Sequence, residues 1–207
     1  MSTEFTFAQI CPASSVVERA ADIEARLRSH GYARSSTVVE VVVDDRGVFD
    51  ECQRELDVPE ELISRQTELA SWQGMATEFF NREFTLYLML SVHPSGHLYA
   101  FLDVSAKVFD QMADQHDMGR LWQVVGVIAH VCKSQGGFGG FELPFEPFSQ
   151  AEAIERIFCN DEGVPSVLGI VPVETFERQG MQKQADAVFN VIRSTLGYCL
   201  LQNRDLD

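Results

Sequence analysis

His93, His97, His130 and Cys132 carry imidazole and thiol groups, the ligands that hold zinc in tetrahedral sites. His93 and His97 flank Pro94-Ser95-Gly96, and His130-x-Cys132 follows 33 residues later. A zinc site would therefore need that turn to meet the end of a distant apolar segment. Glu146 and Glu174 are a second candidate, in equivalent positions of Pro144-Phe-Glu-Pro-Phe148 and Pro172-Val-Glu-Thr-Phe176, 28 residues apart. Paired carboxylates after strand ends can exchange protons in general acid–base catalysis. Both sets also suit bland roles, as polar turn residues and as acids favoured by the dipole in a first helical turn. Gly136-Gly-Phe-Gly-Gly140 has the composition of a phosphate cradle. It stands in reverse order, after a helical pattern and before a strand, and lacks the Lys-Ser/Thr of a P-loop, so it reads as a flexible connector. No G-x-S-x-G, H-E-x-x-H, kinase set or dinucleotide fingerprint occurs. The sequence thus nominates no catalytic residue, no bound metal and no cofactor.

The remaining chemistry is electrostatic. The chain has a formal net charge of −15, with only three lysines against thirteen arginines. That balance excludes a phosphate-binding basic face, so neither nucleic acid nor an anionic membrane surface is an expected partner. Charge concentrates between Glu40 and Glu61, where nine acids and two bases leave net −7 in 22 residues. Much of this segment reads as a loop after a strand, where binding residues often sit. The expected binding set is Asp44, Asp45, Asp50, Glu51, Glu55, Asp57, Glu60 and Glu61, with Phe49 and Trp72 as aromatic anchors. Such a face attracts a basic protein and speeds encounter, an effect that salt weakens. The competing reading is a solvated surface that only confers solubility.

Several elements must position these groups. Ser15-x-x-Glu18 has capping-box spacing, and Val16, Ala20, Ile23 and Leu27 continue at helical period to His30-Gly31. Phe5 to Ile10 and Thr37 to Val43 read as strands. Asp57-x-x-Glu60 reads as a second capping box before Leu62, Ile63, Leu69 and Ala70. Phe84, Leu86, Leu88, Leu90 and Val92 alternate strictly, and Leu98 to Val104 returns after the Pro94 turn, which predicts an antiparallel hairpin. Leu121 to Cys132 reads as a largely buried helix, in which Gly126 marks a close backbone approach. Ser149-x-x-Glu152 is a third capping box. In both proline repeats the pattern is strand, stop, helix: proline ends the ladder and the following Phe packs the helix on the sheet. An amphipathic stretch through Ala185, Val188, Phe189 and Ile192 leads to a last strand, Leu196 to Leu201.

The sum is a single α+β domain over residues 1–207. It predicts a mixed sheet of about six or seven strands and five or so helices, with a central antiparallel hairpin, a C-terminal βαβαβ unit with parallel pairing, and helices mainly on one face. Five widely spaced cysteines without a CxxC read as small buried hydrophobes in a reducing compartment. With no basic n-region before an apolar run and no apolar stretch long enough to span a bilayer, the expected location is cytoplasmic. A compact, strongly acidic domain without catalytic signatures resembles, in composition alone, small neutralising proteins such as immunity proteins. That resemblance implies docking on a basic toxin or effector. The alternatives are an enzyme or metal protein using His93, His97, His130 and Cys132 or the Glu146/Glu174 pair, and a homo-oligomeric scaffold.

Overall fold

The structure, a computed structural model, describes residues 4–45, 47–115, 117–141, 143, 145–159 and 166–206. At its centre lies strand β1 (Glu4–Pro12), apolar on both sides. Phe5, Phe7 and Cys11 point to one face of the sheet, Ala8 and Ile10 to the other, and all are buried. A strand with two apolar faces is stable only between neighbours and under cover on both sides. Its N-terminal neighbours in the sheet are β2 (Ala33–Val43), β3 (Phe49–Asp57), β4 (Gly74–Phe80), β5 (Thr85–Val92) and β6 (His97–Ser105). On its other side come β7 (Gly136–Phe141), β8 (Leu168–Pro172), β9 (Phe189–Arg193) and β10 (Tyr198–Asn203). All ten form one sheet in the order β3-β2-β4-β5-β6-β1-β7-β8-β10-β9. The hairpin expected around Pro94 is present, with Leu88 opposite Leu102.

The first face carries α1 (Val16–Ser29), α3 (Ala106–Asp114) and α4 (Gly119–Cys132). Ser15 caps α1 by accepting the Glu18 amide at 3.3 Å, as its spacing predicts. The second face carries α5 (Gln150–Phe158), α6 (Val173–Arg178) and α7 (Gln182–Val188), over β1 and β7 to β10. The helices are therefore split between two faces, contrary to the one-sided cover expected from sequence. No helix among the described residues is long and apolar enough to cross a membrane.

The C-terminal pairing also differs from expectation. Every paired neighbour in the sheet is antiparallel, including β7 with β8 and β8 with β10. The connection after β7 runs out to β3, where the Phe145 carbonyl accepts the Phe49 amide at 3.0 Å, and returns along α5. Two opposed legs bring the chain back to the end it left, so β8 pairs antiparallel. β8 and β9 do share a direction, but β10 inserts between them through the β9–β10 hairpin. The strand–stop–helix reading holds for the second repeat, where Pro172 ends β8 directly before α6, and Phe148 and Phe176 are both buried against the second face. Pro144 lies outside the described residues.

Two further elements correct the sequence reading. Phe189 and Ile192 leave the helix and form β9. Asp57 ends β3 instead of capping a helix; a 3-10 turn at Leu62–Arg65 and the short α2 (Gln66–Leu69) follow. Ser149 and Glu152 form a complete capping box on α5.

The glycine run is strand β7, and the connector reading was wrong for a steric reason. A Cβ on Gly139 would lie 2.7 Å from Phe5 Cζ and from Phe7 Cδ2. One on Gly137 would lie 2.5 Å from the Ala8 carbonyl oxygen. The missing side chains leave room for the phenylalanines of β1. Gly126 is different: a Cβ there would meet only Leu196 Cδ1 at 3.6 Å, an ordinary contact, so no close approach requires it.

The N-terminal half of the sheet is strongly curled. The Phe49 ring lies 5.3 Å from Tyr99 and 5.5 Å from Phe101. Three strands separate β3 from β6, and flat strands would hold them about 19 Å apart. The second face therefore closes on itself there, around buried Val41, Ala76 and Met89.

Gly139→Ala is expected to lower stability by about 2 kcal/mol or more through overpacking against β1. Gly126→Ala is expected to raise it by up to about 1 kcal/mol through helix propensity. Urea unfolding of the two variants should shift the midpoint in opposite directions.

Candidate protein-binding edge

The acidic segment is built as a hairpin, not as a loop. Asp44 makes its turn: the Asp44 amide donates to the Val48 carbonyl at 2.8 Å, and the Asp44 carboxylate accepts the Val48 amide at 2.9 Å. β3 then pairs with β2 on one side and is an edge strand of the sheet, met at its start by the Phe145 carbonyl. Val39 faces Glu55 and Val41 faces Glu51, so Cys52 to Arg54 bulge opposite Glu40. The Glu40 carboxylate accepts the Cys52 thiol at 3.4 Å and lies 3.6 Å from the Arg54 guanidinium. That guanidinium sits 5.3 Å above the Trp72 ring.

The aromatic anchors expected from sequence are core residues. Phe49 is 3% exposed and Trp72 4% exposed, so neither offers a surface to a partner. Phe49 closes the curled half of the sheet, and Trp72 lies in the core of the first face. Phe and Trp adjoining acids can signal a hot spot, but the same residues fill cores more often.

The acids divide by partner. Glu60 pairs with Arg65 at 2.5 Å, and Glu61 pairs with Arg28. Glu60 is held below the ordinary carboxyl range by a backbone amide and then by Arg65. Both anchor the turn after β3, and their charge is largely neutralised within the chain. Among the described residues Asp45, Asp50, Glu55 and Asp57 have no ion-pair partner. Asp50 shares the first face with Val42, while Glu55 and Asp57 share the second with Val39 and Thr37. The Glu51 side chain lies outside the described residues.

A buried ion pair holds this edge in place. Glu24 on α1 faces Arg34 on β2 at 3.1 Å, with side chains 5% and 3% exposed. The other Glu24 oxygen accepts the Leu62 amide at 2.8 Å, and Arg34 donates to the Val58 and Glu60 carbonyls at 2.6 Å each. One carboxylate and one guanidinium thus tie helix, sheet and the turn after β3 together.

The metal candidates are not assembled among the described residues. His93 sits in the hairpin turn, where its Nδ1 accepts the Ser95 amide at 3.1 Å and its ring meets Phe49. His130 is exposed on α4, whereas Cys132 is buried beside Cys11. Hydrogen bonding to Cys132, and then burial, push the Cys11 thiol well above its usual range. Nearby, burial raises Tyr198 to about 12 while its hydroxyl donates to the Ala129 carbonyl at 2.9 Å. Among the described residues no three His, Cys, Asp or Glu side chains converge. Glu174 lies in the first turn of α6, and Glu146 is exposed ahead of α5, outside its first turn.

Two exposed residues on β4, Glu78 and Phe80, escaped the sequence reading although the signal was present. Met75, Thr77 and Phe79 alternate with Ala76, Glu78 and Phe80, and the second set changes from apolar to exposed along the strand. No protein-family model matches the chain, and no curated protein matches it in sequence.

Glu24→Gln is expected to cost about 3 kcal/mol, because it leaves the Arg34 guanidinium buried without its counter-charge. Glu61→Gln at the exposed pair should cost below about 1 kcal/mol, so chemical denaturation separates the two. A thiol-specific reagent should modify exposed Cys159 first and leave Cys11, Cys132 and Cys199 unreacted until the protein unfolds.

Proposed function

We propose that the protein is an acidic protein-binding module that docks on a basic partner protein and neutralises it, in the manner of an immunity protein. The observation that supports this most is the state of the carboxylates on β3 and its turn. Asp45, Asp50, Glu55 and Asp57 have no ion pair among the described residues, while neighbouring Glu60 and Glu61 are matched with arginines. Unmatched charge of one sign on a sheet edge produces a field that steers a cationic surface to that edge. The hairpin carrying these groups is fastened to α1 through Glu24 and Arg34, so the field is presented in a set geometry. Neutralisation then follows from coverage, as the bound module shields the partner's functional surface from its own target.

Asp44 is excluded from the charge test because its carboxylate makes the turn. Simultaneous reversal of Asp45, Asp50, Glu55 and Asp57 to lysine should weaken partner binding at least about tenfold, mainly through the association rate, and flatten its salt dependence. The measurement is affinity capture from host lysate at low and high salt, with wild-type and reversed protein side by side. A basic protein retained by the wild type at low salt and lost by the variant supports the reading. Equal capture by both sinks it.

A further inference from the structure

The sheet ends in two edge strands that differ in chemistry. β3 carries carboxylates and a bulge and is met at its start by the Phe145 carbonyl. Such features keep one edge from pairing with another. β9, at the far end, has none of them. It runs in unbroken register along β10, from Phe189 opposite Asn203 to Arg193 opposite Cys199. No acid occurs between Asp186 and Asp205, although the chain carries net −15. The one charge on the strand, Arg193, is matched by Glu177 at 2.7 Å.

The last hairpin fixes which backbone groups β9 offers. The Ser194 amide donates to the Tyr198 carbonyl at 2.8 Å, so Ser194 faces β10. The Asn203 amide turns away from β9 to the Val167 carbonyl at 3.0 Å. Bonding alternates along an antiparallel ladder, so Ile192 also faces β10, while Val191 and Arg193 point their amides and carbonyls outward. Among the described residues no backbone group meets them. Ile192 is 46% exposed on the first face, opposite Leu200, and Leu196 in the hairpin turn is 36% exposed.

We infer that β9 pairs antiparallel with β9 of a second copy of this chain across a two-fold axis. A strand is the occupant that satisfies a row of outward amides and carbonyls. Charge and register select a second copy as that strand. Two strongly acidic chains approach with least repulsion where their surface is locally neutral, and this edge is. With the axis at Ile192, Val191 of each copy faces Arg193 of the other, and every outward amide finds a carbonyl. Ile192 then meets Ile192 at a non-hydrogen-bonded position, where opposite Cα atoms stand about 4.5 Å apart and side chains are closest. Arg193 lies against Val191, so no like charges are opposed. The two sheets become one, with an acidic β3 strand at each outer end. The pairing is independent of the partner-binding reading.

The test is sedimentation equilibrium of the full chain over a range of concentrations. A reversible dimer is expected, and Ile192→Lys, which sets two like charges on the axis, should raise its dissociation constant at least about tenfold. In a Cys159→Ser background, Ile192→Cys should give a disulfide-linked dimer in oxidised glutathione, and Leu196→Cys far less, because only position 192 meets its own copy. Unchanged far-UV circular dichroism shows that each variant is folded. Reversal of the β3 carboxylates to lysine should not weaken the dimer. A monomer at every concentration, or a dimer indifferent to Ile192→Lys, would overturn the pairing. Open-ended oligomers that the β3 reversal dissolves would also overturn it, because β9 would then take β3 of the next copy.

Discussion

Strand β1 connects the two halves of the sheet, and its packing conditions most of the fold. It pairs with β6 on one side and β7 on the other, so the five N-terminal strands and the four C-terminal ones share a sheet through it. A strand in that place must be apolar on both faces and must find cover for each. Phe5 and Phe7 satisfy one face by occupying the space over Gly139, which explains why the neighbouring strand is rich in glycine. The polar side chain of Gln9 is fully buried and donates to the Val125 carbonyl of α4 at 3.4 Å. Because both faces of β1 need cover, helices from both ends of the chain pack on the sheet, one group to each side.

The acidic edge follows from what remains once the arginines are placed. Arg34 is used inside the fold by Glu24, and Arg28 and Arg65 hold Glu61 and Glu60 at the turn after β3. Asp45, Asp50, Glu55 and Asp57 are left facing water. They serve two physical ends at once. Charge on an edge strand opposes edge-to-edge association, as does the bulge at Cys52 to Arg54. The same charge attracts any cationic surface that approaches.

Much of the architecture was legible residue by residue. The strict alternation from Phe84 to Val92, the cap at Ser15, the full capping box at Ser149 and the buried helix ending at Cys132 all report local physics that the chain carries wherever it is placed. The illegible parts share one cause. β3 reads as a polar loop because an edge strand has one paired side and little to bury, so its composition departs from that of an inner strand. β7 reads as a connector because its glycines record the size of a neighbour that is more than a hundred residues away in sequence. Phe49 and Trp72 read as surface anchors because burial is a property of neighbours, and theirs come from β6 and from the first-face core.

The amino-acid sequence by itself determined the α+β class, the central hairpin, the capped helices and the strong acidity of residues 40–61. Those features depend on periodicity, capping chemistry and charge count, which act over a few residues. Tertiary structure alone decided that the sheet is antiparallel throughout, that its N-terminal half curls shut around Phe49, and that Glu24 and Arg34 meet. It alone paired Glu60 and Glu61 with arginines and left Phe80 exposed beside Glu78. Strand order, burial and ion pairing depend on which distant segments lie side by side, and no local pattern encodes that distance.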